Sequence, residues 1–86
     1  MNWQEIREHY PHRWLLVEAV QAHSSEGRRI LDEMAVLQAY PTARPAMQAY
    51  LEQHRRSPER ELYVLHADRE EPGIDERHWL GLRRAG

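Results

Sequence analysis

The sequence predicts a small α+β domain, a mostly antiparallel sheet with two helices in the order α-β-β-α-β, followed by a C-terminal docking tail. Three observations predict it: two apolar runs of similar length on either side of "SSEG", a helical spacing of apolar residues after Thr42, and the doubly apolar stretch "LYVL" at 62–65. The 86 residues make one domain, 1–86, and a chain of that length buries only roughly 60–65% of its unfolded surface, so its core is thin.

Asn2 and Glu5 have the spacing of a capping box, and Trp3, Ile6 and Tyr10 then share one face of a short helix that Pro11 ends. Residues 13–23, "RWLLVEAVQAH", are rich in Trp, Leu and Val and read as a strand entering a turn at 24–27, where Gly27 supplies positive φ. Residues 28–40 fit both periods, since Ile30, Met34 and Leu37 repeat helically while Met34 and Val36 alternate. Matched lengths around the turn favour a hairpin. The expected register sets Glu18 opposite Met34, because a shift of one or two residues toward the turn would place it against Glu33 or Asp32, a like-charge pair.

In the helix expected over 43–56, Thr42 is the cap, Pro45 sits in the first turn, and Ala43, Met47, Tyr50 and His54 form the inward face. Ser57 and Pro58 end it. Leu62 and Val64 on one side, with Tyr63 and Leu65 on the other, predict a central strand buried on both faces. In the tail, Ile74, Trp79, Leu80 and Leu82 suffice to dock as a turn and a short extended segment.

Composition narrows the functional classes. With a net charge of −2 from 12 basic and 14 acidic residues interspersed, the chain has no long-range field to draw it to nucleic acid or an anionic membrane. The absence of cysteine excludes disulfides and thiolate zinc cages and fits a cytoplasmic address. Glu5, Arg7 and Glu8 stand where a signal peptide needs an apolar core, and no apolar run approaches the ~20 residues of a membrane span.

The segments "YPHRWLLVEA", "AVL", "ELYVLHADRE" and "RHWLGLR" together resemble a group of short uncharacterised bacterial proteins, a domain of unknown function. Their pattern is Tyr-Pro, a Trp-led apolar strand ending in Glu-Ala, an aromatic strand ending in His and a small residue with Arg to follow, and a Trp-x-Gly finish. The resemblance implies the helix, hairpin, helix, strand order and no particular activity. Ala67 stands where that pattern carries Thr or Ser, which removes a hydroxyl from the neighbourhood of His66.

Candidate chemistry centres on Glu18, His66, Asp68 and Arg69, because a strand end presents side chains and alternation puts His66 and Asp68 on one face. The hydroxyls, Ser24, Ser25, Ser57 and Thr42, fall in turns or caps, so no triad assembles and a strand-terminating role outweighs a ligand-binding or hydrolase-like one. His9 and His12 are split by Pro11, which spoils a two-histidine metal face, and no glycine-rich phosphate loop exists; no metal or other cofactor is expected. Carboxylates interrupt each arginine pair, which makes a nucleic-acid role the weaker alternative.

The leading expectation is a non-enzymatic interaction or regulatory domain, a homodimer or the small partner of another cytoplasmic protein. It rests on area. Trp14, Leu16, Val20, Ala22, Ile30, Met34 and Val36 are assigned to one hairpin face and Leu15, Val17, Ala19, Leu31, Ala35 and Leu37 to the other, more apolar sheet than two helices cover. Trp14, Leu16 and Trp79 are the expected interface anchors.

Overall fold

The computed structural model describes residues 1–75. The first helix, α1, spans Trp3–His9, and its capping box is complete: Asn2 Oδ1 accepts from the Glu5 N–H at 2.9 Å, and Glu5 Oε1 accepts from the Asn2 N–H at 3.0 Å. Strands β1 (Trp14–Ser25) and β2 (Arg28–Tyr40) follow as an antiparallel hairpin, so residues 28–40 take the extended of their two readings. Helix α2 spans Ala43–Arg56, β3 spans Leu62–His66, and the two-residue β4, Ile74–Asp75, is the docked start of the expected tail. Trp79, Leu80 and Leu82 lie outside the described residues.

The hairpin turn is tighter than expected. Both strands run to Ser25 and Arg28, leaving only Glu26 and Gly27, at φ 51° and 76°, as the turn. Two consecutive residues of positive φ twist a two-residue loop to match its strands. That loop sets the register, and Glu18 pairs with Ala35 while Ala19 takes Met34, one position from the expected pairing. Glu18 still faces no carboxylate, which avoids a like-charge pair.

The sheet order is β3-β1-β2-β4. Strands β2 and β3 both run antiparallel to β1, and α2 carries the chain from one border of β1 to the other. This β2-α2-β3 crossover lays α2 against β1, β2 and β3 together. It also places β3 at the border of the sheet rather than at its centre, as its doubly apolar pattern had suggested. Both faces of β3 are nevertheless covered, because α1 and α2 occupy opposite faces of the sheet.

On one face, Trp3 and Ile6 from α1 pack with Leu15, Val17, Leu31, Met34, Tyr63, Leu65, Ala67 and Ile74. On the other, Leu16 and Leu62, of opposite parity along their strands, are buried with Ala46 of α2. Bulges between Leu16 and Val17, and on both sides of Gln21, redistribute the hairpin. Ala22, Met34 and Val36 thereby join Leu15, Val17 and Leu31, instead of facing away from them.

Helix α2 is also rotated from its expected setting. Its buried residue is Ala46, while Met47 is 43% exposed, and Thr42 occupies the cap position without a side-chain bond. A methyl side chain at the contact lets the helix axis approach the sheet closely, which a Met at the same point would prevent. Less of the sheet is uncovered than expected: among the described residues the exposed large hydrophobics are Val20 of β1 and Met47 and Leu51 of α2. No helix of the described residues is long and apolar enough to cross a membrane.

Candidate functional site

The four residues singled out by the sequence divide into three places. Glu18 pairs with Leu62 at the start of β3, whereas His66 pairs with Trp14 at its end. Four residues of strand, about 13 Å, separate them. Glu18 instead accepts two hydrogen bonds from Arg60, at 2.6 and 2.9 Å. This fork holds the Glu18 carboxyl below the ordinary glutamate range, against the opposing effect of its partial burial. The carboxylate is thus committed to closing the loop between α2 and β3.

Arg69 is likewise structural. Its guanidinium donates to the carbonyls of Glu71 (3.3 Å) and Gly73 (2.7 Å), folding the segment that leads to β4, and its own carbonyl accepts from Trp3 Nε1 at 2.8 Å.

His66 and Asp68 do come together. The Asp68 N–H donates to His66 Nδ1 at 3.1 Å, so the imidazole lone pair caps the turn that ends β3, and the His66 ring meets Trp14 edge-on with centroids 4.9 Å apart. Asp68 has a further partner in His12, whose Nδ1 lies 2.8 Å from Asp68 Oδ1. His12 sits at φ 62°, in the left-handed region, on the turn that follows α1.

An open cleft of about 280 Å³ adjoins the pair, lined by Gln4, Arg7, Glu8, Pro11, His12, Ala67 and Asp68. Arg7 Nε donates to the Ala67 carbonyl at 3.1 Å, which anchors its guanidinium at the rim. His12 places Nδ1 on the carboxylate, and its side chain is otherwise largely exposed. No serine or threonine lines this cleft, so a polar ligand has a place there while a nucleophile does not. Among the described residues no group of three or more His, Cys, Asp and Glu can hold a metal ion.

The structure also presents a backbone site. Ala67 N–H donates to Arg13 C=O and Ala19 N–H to Glu61 C=O, each at 2.9 Å, which fixes the phase of the β1–β3 ladder. Residues 61, 63, 65 and 67 therefore turn their backbone groups toward β1, and Leu62, Val64 and His66 turn theirs to the border of the sheet. The His66 carbonyl accepts from Arg69 N–H. The N–H groups of Leu62, Val64 and His66 and the carbonyls of Leu62 and Val64 have no partner among the described residues.

The opposite border is treated differently. Along β2, Met34 exchanges two backbone bonds with Met1, at 2.8 and 2.9 Å, and Arg28 and Arg29 pair with β4. The five residues of β3 hold no proline and no acidic, Lys or Arg side chain, and its register with β1 runs without a bulge.

Of the expected anchors, Leu16 is 2% exposed and buried on the α2 face of the sheet, so it is not available to a partner. Trp14 is half-buried beside His66, at the end of the β3 border, and Trp79 lies outside the described residues. Comparison of the chain with models of known families, with curated proteins and with solved structures gives no match.

Proposed function

We propose that this chain is a small protein-interaction domain that works as a homodimer, joined through the border of β3. The observation that carries the reading is the row of outward backbone groups on Leu62, Val64 and His66. Such a row accepts another strand by β-augmentation, with main-chain bonds giving the affinity.

A second copy suits this edge geometrically. In an antiparallel pairing centred on Val64, Leu62 of one copy meets His66 of the other, and the three outward residues are the ones such a two-fold contact uses. The apolar residues of β3 then continue both faces of one sheet across the molecular dyad. Leu62 is packed against α2 while Val64 and His66 are half-buried, so main-chain groups carry the contact, and no like charges are opposed because residues 62–66 hold no acidic, Lys or Arg side chain.

Sedimentation equilibrium tests the proposal on the wild type and on Val64→Pro. Proline at an outward position removes no bond to β1, while it deletes the central donor of the contact. The wild type is expected at twice the 10.3 kDa chain mass and the variant at the chain mass, with its secondary structure retained. Val64→Lys provides the same test without backbone constraint. A wild type that stays monomeric at high micromolar concentration overturns the homodimer.

A second reading has its own observation: His12 is held in a left-handed backbone conformation with its ring on Asp68, beside an anchored arginine. Left-handed non-glycine residues concentrate at functional sites. In this reading a small polar ligand occupies the cleft, and His12→Ala abolishes a ligand-induced rise in melting temperature found by screening the wild type. No such rise in the wild type, or one that survives in His12→Ala, removes this reading.

A further inference from the structure

The outer side of α2 supplies a second surface, and we infer that it binds an acidic amphipathic helix of a partner protein. Met47 and Leu51, one helical turn apart, are 43% and 54% exposed. Around Leu51 the outer face of the helix is an open surface formed by Gln48, Glu52, Arg55 and Arg56. An exposed apolar pair one turn apart on a helix is what the apolar stripe of a second helix packs against.

Charge chooses the occupant. The chain carries a net charge of −2, yet α2 holds Arg44, Arg55 and Arg56 against Glu52 alone. Glu52 is taken by Arg56 at 2.8 Å, which leaves Arg44 and Arg55 without an acidic partner among the described residues. Arg44 lies in the first turn, at the positive end of the helix dipole, with no acidic residue there to offset it. A basic residue at that end costs helix stability in the isolated chain, and an anionic partner relieves the cost.

A second copy of α2 does not meet this need. Antiparallel pairing about Met47 and Leu51 sets Arg44 against Arg55, and parallel pairing sets each arginine near its own equivalent. An anionic membrane is also a poor fit, because an interfacial helix requires a broad apolar face and here the side around Ala46 is turned to the sheet. A helix with two or three leucines at helical spacing, flanked by glutamates, matches both the apolar pair and the arginines.

The inference builds on the reading of the chain as an interaction domain, but uses a different surface from β3. The probe is a fluorescent alanine-based peptide of about 15 residues with leucines at helical spacing and glutamate flanks, beside a twin with lysine flanks. Fluorescence anisotropy is expected to show the glutamate peptide binding at least about tenfold more tightly than its twin, and weakening as salt rises. Leu51→Asp and Arg55→Glu, both at exposed positions, are each expected to weaken it about tenfold.

Equal binding of the two peptides, no binding of either, or an Arg55→Glu variant that binds as the wild type does would each overturn the inference. So would binding to phosphatidylserine vesicles without binding to the peptide. Val64→Pro is included in the same titration: retained peptide binding with lost self-association, or the reverse, shows which of the two surfaces has failed.

Discussion

At the scale of single residues, polar side chains near the sheet borders are committed to one another. Glu61 accepts from Arg29 at 2.8 and 3.0 Å and from the Tyr63 hydroxyl at 2.6 Å, as Glu18 accepts from Arg60. The Glu18 carboxyl is held low by Arg60, so the folded state binds its proton less readily than the unfolded chain. Its contribution to stability is then present above the ordinary glutamate range and is lost as pH falls through the depressed value. Glu18→Gln is expected to lower the urea midpoint at neutral pH, and the gap from wild type is expected to narrow as pH falls below the ordinary glutamate range. A constant gap across that range would contradict the assignment. Burial separates two other leucines: Leu15→Ala, at 0% exposure, should cost about 2–5 kcal/mol in urea unfolding, and Leu51→Ala less than about 0.5 kcal/mol. The meeting of His66 with Asp68 was legible from alternation, but the part played by His12 was not. Its carboxylate partner lies 56 positions away, and its left-handed φ has no signature in "HYPH".

At the scale of elements, the periodic signals succeeded where one residue pattern had one solution. The Asn2–Glu5 spacing gave α1 its start, and matched runs around Gly27 gave the hairpin. They failed where small side chains or extra residues set the geometry. Ala46 rather than Met47 meets the sheet because closeness of approach, invisible in a hydrophobic period, decides the rotation of α2. Three irregularities in the β1–β2 ladder moved Ala22, Met34 and Val36 across the sheet, since each added residue inverts the alternation that follows. The turn itself gives a prediction. Gly27 sits at φ 76° with open space around it, so a branched side chain there meets only backbone strain. Gly27→Val is expected to cost about 1–2 kcal/mol by thermal or urea unfolding, and a neutral result would mean that the turn relaxes to another type.

At the scale of the whole molecule, connectivity determines what is left to bind with. The β2-α2-β3 crossover uses one helix to cover one face, α1 covers the other, and β3 is delivered to a border that no described residue closes. Among the described residues the large apolar side chains of the sheet are buried or half-buried, Val20 excepted, so the association proposed here rests on the outward backbone groups of β3 rather than on uncovered sheet area. Sequence alone showed β3 as apolar on both sides but could not place it at the border, since strand order depends on where a crossover lands. The most direct measurement is amide hydrogen exchange of Leu62, Val64 and His66, resolved by NMR over a range of protein concentrations. Strand pairing between copies predicts slow exchange at these three amides at high concentration and fast exchange on dilution, while Tyr63 and Leu65 stay protected throughout. Fast exchange at every concentration, or protection that dilution does not change, would contradict it.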